Sequence, residues 1–597
     1  MICAIYYLLR RNRAKYNKIM ASCKPVTKKV INSPESCVDD NLRGVVALYP
    51  KLQLHPKHRV VTLRRTDDSG RVAVLGGGGS GHEPFAAGLI GPGMLDGAVA
   101  GEVFASPPTG NVLYAIAQLY KHNSGGVLVL LGNYTGDRLN FGKAFEKAKI
   151  AGIKVEGFIV GEDVASSQNK TGGRSMCGEV FLYKLCGAMA AEGHDVQSIR
   201  NMATEVNKNM ATLGVCLSAC SLPGQPPLFD IAQDEMELGA GVHGEAGIEK
   251  LKMGSAKETV VLILDKIIAH LKLQPNNRVA AMINNMGGTS LLEMNIIAGE
   301  INDYLDRKQI KMERIYSGHF KTSLDMHAFQ ICLLDLSGEH GDSWLRLLDA
   351  PTEAGAWTGG DLSVGEPGGL AEDDDLPQSV EGKTTSGPAL SVKEQKVFRE
   401  SLRAAASVLV ENEELLNRLD SGCGDGDCGI TLKKFANAVL KYLESASLEY
   451  PSNVLRELSD IAETDMGGTS GGIYSLGLAA ASQALAKATS NDRSAWLSAM
   501  SSSAATISMY GGAEPGDCTM LDTLHTAVIA YKENMGADLK TLLLKIDEAA
   551  QRGAEATADM IPRAGRASYV SRAHSRGADA GARALELWLR ATLARLD

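Results

Sequence analysis

Two periodicities divide the chain. From about Val26 to Trp357, short apolar runs alternate with stretches whose apolar residues recur at helical spacing. Arg71–Leu75, Val127–Leu131, Val155–Val160, Val279–Ile283 and Ile331–Leu336 predict strands, several of them unbroken, as in strands covered on both faces. Asn111–Lys121, Gly142–Ala151 and Thr259–Leu273 predict helices between them. This is α/β alternation, and its length predicts two lobes parted somewhere near residues 195–225. From about Val392 no strand pattern persists. Phe398–Leu419, Ile430–Leu443, Val454–Glu463, Gly472–Ala488, Arg493–Ser508, Cys518–Lys532, Asp538–Ala554 and Ala578–Leu596 predict an all-helical domain. The stretch 358–391 is rich in Gly, Pro and acid, the composition of a flexible linker. The predicted organisation is an N-terminal extension (1–25), a two-lobed α/β domain (26–357), the linker (358–391) and the helical domain (392–597).

Composition narrows the function classes. A chain of 597 residues favours two to four domains, and its net charge of −9 argues against a general nucleic-acid surface. Its eleven cysteines show no CxxC and no zinc spacing, as expected of buried thiols in a reducing compartment. Ile2–Leu9 is apolar but too short to span a bilayer, and its basic cluster follows the apolar run, whereas a signal peptide places charge before it. A protein with no membrane span, located in the cytoplasm, is expected.

The densest chemistry lies at Asp420-Ser421-Gly422-Cys423-Gly424-Asp425-Gly426-Asp427-Cys428-Gly429. Crowded aspartates repel, and glycines cost backbone entropy. A hard divalent cation offsets the repulsion, and Mg²⁺ shares its shell with substrate phosphates. Counted from Asp425, positions five and twelve are Gly429 and Ala436, so this is not an EF-hand. Glycine-containing stretches at 422–429, 467–472, 511–516 and 564–566 are expected to be loops that gather at one end of the helical domain.

In the first domain, Arg71–Leu75 runs into Gly76-Gly77-Gly78-Gly79-Ser80-Gly81-His82-Glu83-Pro84, the setting of an anion or sugar loop. Gly76, Gly78 and Gly81 satisfy G-x-G-x-x-G, with Glu102 near the spacing of a ribose-binding acid, so a nicotinamide-dependent oxidoreductase is an alternative. Pro84 fits that fingerprint poorly, and no Walker A lysine follows. Gly132-Asn133-Tyr134-Thr135-Gly136-Asp137 follows a predicted strand, where ligands of α/β sheets gather. His243 lies among Gly239, Gly241 and Gly244. His82, Asp137 and His243 are residue types that serve acid–base and nucleophilic catalysis.

Taken together, Gly-Gly-Gly-Ser-Gly-His-Glu-Pro (77–84), Asn-Tyr-Thr-Gly-Asp-Arg-Leu-Asn-Phe (133–141), Gly-Val-His-Gly-Glu-Ala-Gly (241–247), Asn-Asn-Met-Gly-Gly (284–288), Gly-Asp-Gly-Asp-Cys-Gly (424–429), Met-Gly-Gly-Thr-Ser-Gly (466–471), Pro-Gly-Asp-Cys-Thr-Met-Leu-Asp (515–522) and Gly-Arg-Ala-Ser-Tyr (565–569) resemble the ATP-dependent dihydroxyacetone kinase family, nearest its animal triokinase/FMN cyclase members. The resemblance covers nearly everything after residue 25. It implies a two-lobed α/β K domain that binds the triose and an all-α helical-barrel L domain that binds Mg-ATP.

By that resemblance His243 forms a hemiaminal with the carbonyl of dihydroxyacetone or glyceraldehyde, which excludes glycerol. Gly79, Ser80, Gly81 and His82 match the substrate loop, and Asp137 matches the carboxylate that accepts the hydroxyl proton with His82 assisting. Asp420, Asp425 and Asp427 match the Mg²⁺ ligands. Asp425, Gly426, Asp427, Cys428, Thr469, Ser470, Gly511, Thr519, Met520, Gly565, Arg566 and Ala567 match nucleotide contacts. The animal members imply a second activity, splitting FAD into AMP and cyclic FMN with Mn²⁺ or Co²⁺, and the family implies a homodimer. Two positions depart: Gly132 stands where the family usually has Lys, and Cys518 where it has Arg. On the sequence alone, Gly132→Lys is expected to lower KM for dihydroxyacetone. A weakened homologue kept as a protein-binding module is the other alternative.

Overall fold

The computed structural model describes residues 26–168, 170–358, 387–421, 426–466, 468–564, 568 and 577–596. The 1–25 extension, most of the 358–391 linker, Asp425, Gly565, Arg566 and Ala567 lie outside the described residues. The chain forms two compact units, 1–371 and 372–597.

The first unit holds two six-stranded sheets. Strands β1 (Leu52–His55), β2 (Val60–Leu63), β3 (Val72–Ser80), β4 (Gly97–Val103), β5 (Gly126–Gly132) and β6 (Val155–Val160) lie in the order β1-β2-β4-β3-β5-β6. Strands β4, β3, β5 and β6 are parallel, β6 forming one edge, and β1 and β2 are antiparallel at the other. Alternate side chains explain the unbroken apolar runs. Ala73, Leu75, Val127 and Val129 pack under helices Thr109–Tyr120 and Thr135–Ile150, while Val72, Val74, Leu128 and Leu130 face helix Glu179–Ala191. Each such fully buried Val or Leu contributes roughly 1.5–3 kcal/mol.

The second sheet is built from β7 (Met210–Ser218), β8 (Glu235–Leu238), β9 (Glu249–Lys252), β10 (Arg278–Asn285), β11 (Lys311–Gly318) and β12 (His327–Asp335), in the order β11-β10-β12-β7-β8-β9. Only β10 and β11 run parallel. Helices Ala256–Leu271 and Leu291–Arg307 cover one face, each started by a capping box, Ser255 with Glu258 and Ser290 with Glu293. The other face sends Ala280, Met282, Cys332 and Leu334 into the core shared with the first sheet.

Only residues 81–84 of the predicted glycine loop leave the strand. Gly76–Gly79 and Ser80 continue β3, buried throughout. A Cβ on Gly77 would lie 2.2 Å from the Val99 carbonyl oxygen, with φ at +141°, so only glycine lets β3 approach β4 this closely. With no strand–turn–helix at the glycines, the dinucleotide fingerprint fails. Glu102, its supposed ribose partner, pairs with Arg59.

The second unit is helical: Val392–Glu411, Glu413–Asp420, Cys428–Tyr442, Pro451–Ile461, Gly468–Ala486, Arg493–Gly511, Met520–Glu533, Leu539–Ala556 and Ala580–Leu593. The expected single helix over 398–419 is broken at Asn412, whose side-chain amide donates to the Val408 carbonyl and caps the first segment. Three of the expected loops run partly into helix, since Cys428-Gly429, Gly468–Gly472 and Gly511 have helical backbone. A Cβ on Gly429 would sit 2.1 Å from the Glu413 carbonyl oxygen, so this glycine serves close helix packing. Among the described residues no helix is long and apolar enough to cross a membrane.

Candidate active site

The first unit assembles its site from both sheets. His82 follows β3, and its Nδ1–H donates to the Thr322 carbonyl at 2.8 Å in the β11–β12 connection. That bond leaves Nε2 as the acceptor nitrogen. His243 sits in the β8–β9 connection. Its backbone N–H donates to Glu245 Oε2 at 2.9 Å, and Glu245 is drawn towards Arg174, which binds Asp163 at 2.7 Å. Residues 161 positions apart in sequence (243 − 82) thus meet with ring centroids 4.9 Å apart. Phe104 stacks on His82 at 5.2 Å, and Tyr134 stands edge-on to His243 at 4.5 Å.

Burial drives His82 well below the ordinary histidine range, with His243 and Lys321 adding to the effect. Burial also lowers His243 to about 4, against an upward pull from Glu245 and with help from Lys321 and Arg174. Both rings are therefore neutral near pH 7, the state in which an imidazole nitrogen has a lone pair to offer.

Asp137 lies in the first turn of helix Thr135–Ile150, which starts earlier than expected because Tyr134 and Thr135 follow directly from β5. Its carboxylate is buried, and Oδ1 has no hydrogen-bond partner. Burial raises it to about 6; nearby Glu179 adds to the rise, and Ser106 and Lys321 oppose it. The position of a Cβ on Gly78 lies 3.9 Å from an Asp137 oxygen and 4.0 Å from the Phe85 ring, which also stands edge-on to His82. Asp137 thus enters the same pocket. Ser80 and Gly81 line it with committed groups: the Ser80 hydroxyl donates to the Gly101 carbonyl at 2.8 Å, and the Gly81 N–H to Glu83 at 3.1 Å.

In the helical unit, Asp420 ends one helix and Asp427 precedes the next. Asp420 Oδ2 accepts the N–H groups of Asp427 at 3.1 Å and Cys428 at 3.4 Å. Two further carboxylates join them. Asp579 is pushed up to about 6 by burial, then by the charges of Asp522 and Asp420, and the Cys428 thiol is pushed up to about 12 by burial beside Asp420, Asp579 and Asp427. Among the described residues no three such side chains converge as ready metal ligands, and Asp425 is not among them. The surplus of carboxylate charge nonetheless suits a hard dication, which would relieve it. Thr469 and Ser470 occupy the first turn of helix Gly468–Ala486. Thr519 caps helix Met520–Glu533 reciprocally with Asp522, Met520 is buried behind it, and Gly511 ends the preceding helix.

Sequence reasoning passed over Lys321, Phe104, Tyr134, Glu245 and Asp579. Glu245, two residues after His243, carried a local signal; Lys321 and Asp579 lie far in sequence from the groups they meet and carried none.

Two family models match, the Dak1 domain over residues 43–356 and the DAK2 domain over 422–594. The human triokinase/FMN cyclase is 42% identical over 587 residues, covering 95% of this chain and 99% of that protein. Dihydroxyacetone kinase 1 of Saccharomyces cerevisiae is 32% identical, covering 89% and 94%. The crystal structure of the C. freundii dihydroxyacetone kinase in complex with AMP-PNP and Mg²⁺ superimposes with a TM-score of 0.64 at 30% identity, covering 95% of this chain and all of that one. The chain belongs to the dihydroxyacetone kinase family, and stands nearer its human member than its yeast one.

Proposed function

We propose that the protein phosphorylates dihydroxyacetone and glyceraldehyde with ATP, and splits FAD into AMP and cyclic FMN. The observation that carries the kinase reading is the pairing, in one pocket, of a neutral, caged His243 with a buried Asp137 carboxylate whose Oδ1 has no hydrogen-bond partner. Glu245 faces His243 Nδ1 at 3.9 Å, so Nε2 is the nucleophilic nitrogen. It adds to the triose carbonyl carbon as the C=O π bond opens onto oxygen; that oxygen takes a proton while the ring gives up its Nδ1 proton on the Glu245 side, and the resulting neutral hemiaminal fixes the terminal hydroxyl. His82 Nε2 accepts a hydrogen bond from the substrate and orients it. Asp137 takes the hydroxyl proton as that oxygen bonds to the γ-phosphorus and the bond from that phosphorus to the β–γ bridging oxygen breaks, releasing ADP. Positioning and charge neutralisation supply most of phosphoryl-transfer catalysis.

Mg²⁺, when bound, neutralises the phosphate charges, and Asp420 and Asp427, with Asp425, would hold it. Thr469, Ser470, Gly511, Thr519, Met520, Gly426, Cys428 and 565–567 are assigned to the nucleotide. FAD splitting uses the same helical unit with Mn²⁺ or Co²⁺. A cytoplasmic homodimer completes the proposal, the dimer being checked by sedimentation. The weakened-homologue alternative has nothing to favour it, since neither Gly132 nor Cys518 removes a proposed catalytic group. The deciding experiment counts ADP formed from Mg-ATP with and without dihydroxyacetone, beside an Asp425→Ala control. Triose-dependent ADP that vanishes in the control is expected. Equal ADP with and without triose overturns the kinase reading.

A further inference from the structure

Lys321 is a buried cation that the reaction as described does not use. It lies in the β11–β12 connection, at 2% relative exposure. Its backbone is clamped: the Lys321 N–H donates to Asn284 Oδ1 at 3.0 Å, and the Asn284 amide donates to the Lys321 carbonyl at 2.7 Å. Its Nζ donates to Glu179 Oε2 at 2.6 Å and to Ser175 Oγ at 3.0 Å. The same nitrogen lies 4.4 Å from the centre of the Phe85 ring and 5.9 Å from that of Tyr134. Those are the two rings that stand edge-on to His82 and His243. Its ion-pair partner is wholly buried, and Glu179 also accepts from Ser175 and Tyr183. A buried pair of this kind gives little net stability over apolar packing, so stability alone does not account for it.

Gly132 bears on the same spot from the opposite direction. It is the last residue of β5, and a Cβ there would lie 3.0 Å from the Tyr134 ring and 3.2 Å from Ser175. A long side chain leaving position 132 would therefore start between Tyr134 and Ser175, the neighbours of the Lys321 ammonium. We propose that Lys321 is the positioning cation of the triose pocket, delivering from the β11–β12 connection the positive charge that β5 lacks at Gly132. The ammonium ties Glu179 and Ser175 behind the two rings and sets the charge balance felt by His243, His82 and Asp137. It acts through these neighbours, so it is a positioning residue. The inference rests on the triose-kinase reading and deepens it.

It also reverses the expectation for Gly132→Lys drawn from the sequence. With Lys321 present, a second ammonium would compete for one Glu179, and the single substitution should weaken triose use.

The test compares K321M, G132A, G132K, K321M/G132A and K321M/G132K with the wild-type full chain. Wild-type triose-dependent ADP formation checks the underlying reading by itself, so its failure is distinct from a failure here. K321M is expected to raise KM for dihydroxyacetone about tenfold, as for loss of one charge-assisted contact. Removing the cation also raises the pKa of Asp137, which faces Glu179 and Ser106, and of His243, which faces His82, Glu245 and Arg174. The acid limb of kcat/KM should therefore move to higher pH by roughly half a pH unit or more. K321M/G132K should recover most of the loss relative to K321M/G132A, which carries the same crowding at Cβ, and G132K alone should fall below G132A. If K321M does not fold, K321M/E179Q removes both buried charges with little change of shape, and the same readouts apply. An unmoved KM and acid limb in a folded variant, with only a lower melting temperature, overturns the proposal. So does a K321M/G132K no better than its alanine control.

Discussion

Replacing Asp137 by Asn separates the catalytic value of this carboxylate from its structural cost. The acid is raised from 3.8 to about 6 by burial, a difference of about 2.2 (6 − 3.8). At roughly 1.36 kcal/mol per pH unit this is about 3 kcal/mol. The sign follows from the direction. Because the folded value lies above the unfolded one, the folded state carries no penalty below 3.8, gains it as pH rises, and bears it fully above about 6. Asn removes the charge but buries amide N–H groups, which costs about 1–2 kcal/mol where they go unpaired. The variant should thus be more stable than wild type by about 1–2 kcal/mol near neutral pH, and the gain should vanish at about pH 5 and reverse below it, where the wild-type penalty falls under the amide cost. An amide nitrogen cannot accept the substrate proton, so kcat should fall by about 10²–10⁴, or roughly 3–5 kcal/mol in activation free energy. Hydrogen exchange of peptides over β3, β5 and helix Thr135–Ile150 reads the stability, and ADP release reads kcat. A variant with near wild-type kcat, or a stability difference that ignores pH, would refute the reasoning.

Four further outcomes are expected. For the wild-type enzyme, kcat/KM should fall tenfold per pH unit below about 6, as Asp137 protonates, and twice as steeply below about 4, where His243 joins it; a flat profile down to pH 5 removes Asp137 as the base. His243→Ala should abolish triose-dependent ADP formation while FAD splitting with Mn²⁺ continues, and product analysis by chromatography separates the two. Asp420→Asn keeps an oxygen for the Asp427 and Cys428 N–H groups but loses the charge, so turnover should drop at least about a hundredfold with normal helix content by circular dichroism; wild-type turnover at ordinary Mg²⁺ would exclude Asp420 as a ligand. Gly77→Ala places a methyl group 2.2 Å from the Val99 carbonyl oxygen at φ +141°, and should cost about 3 kcal/mol or more, seen as a melting temperature lowered by several degrees.

The sequence by itself determined the architecture and most of the chemistry. An unbroken apolar run marked β5 almost to the residue, because a strand covered by helices on both faces tolerates no polar position; β6, at the sheet edge, was matched as well, although it carries Glu156 and is only partly buried. Helical spacing marked the helices after residue 392, where amphipathic stripes face one core. His82, Asp137 and His243 each stood in a local pattern of glycines or beside a strand end. The helix break at Asn412 was not legible, because a side-chain amide turning back onto Val408 leaves no mark in a run of good helix formers. Nor was the fate of Gly76–Gly79, which reads as a loop until Val99 of β4 is seen pressed against it. Only the tertiary structure decided which charges share a pocket. Lys321 meets Glu179 across 142 positions (321 − 179), and Asp579 feels Asp522 and Asp420, because those encounters depend on how separate elements pack, and packing brings together residues that no local pattern links. It also decided protonation: the same three residue types on a solvated surface would titrate ordinarily, and burial is what leaves both imidazoles neutral and Asp137 within reach of neutral pH.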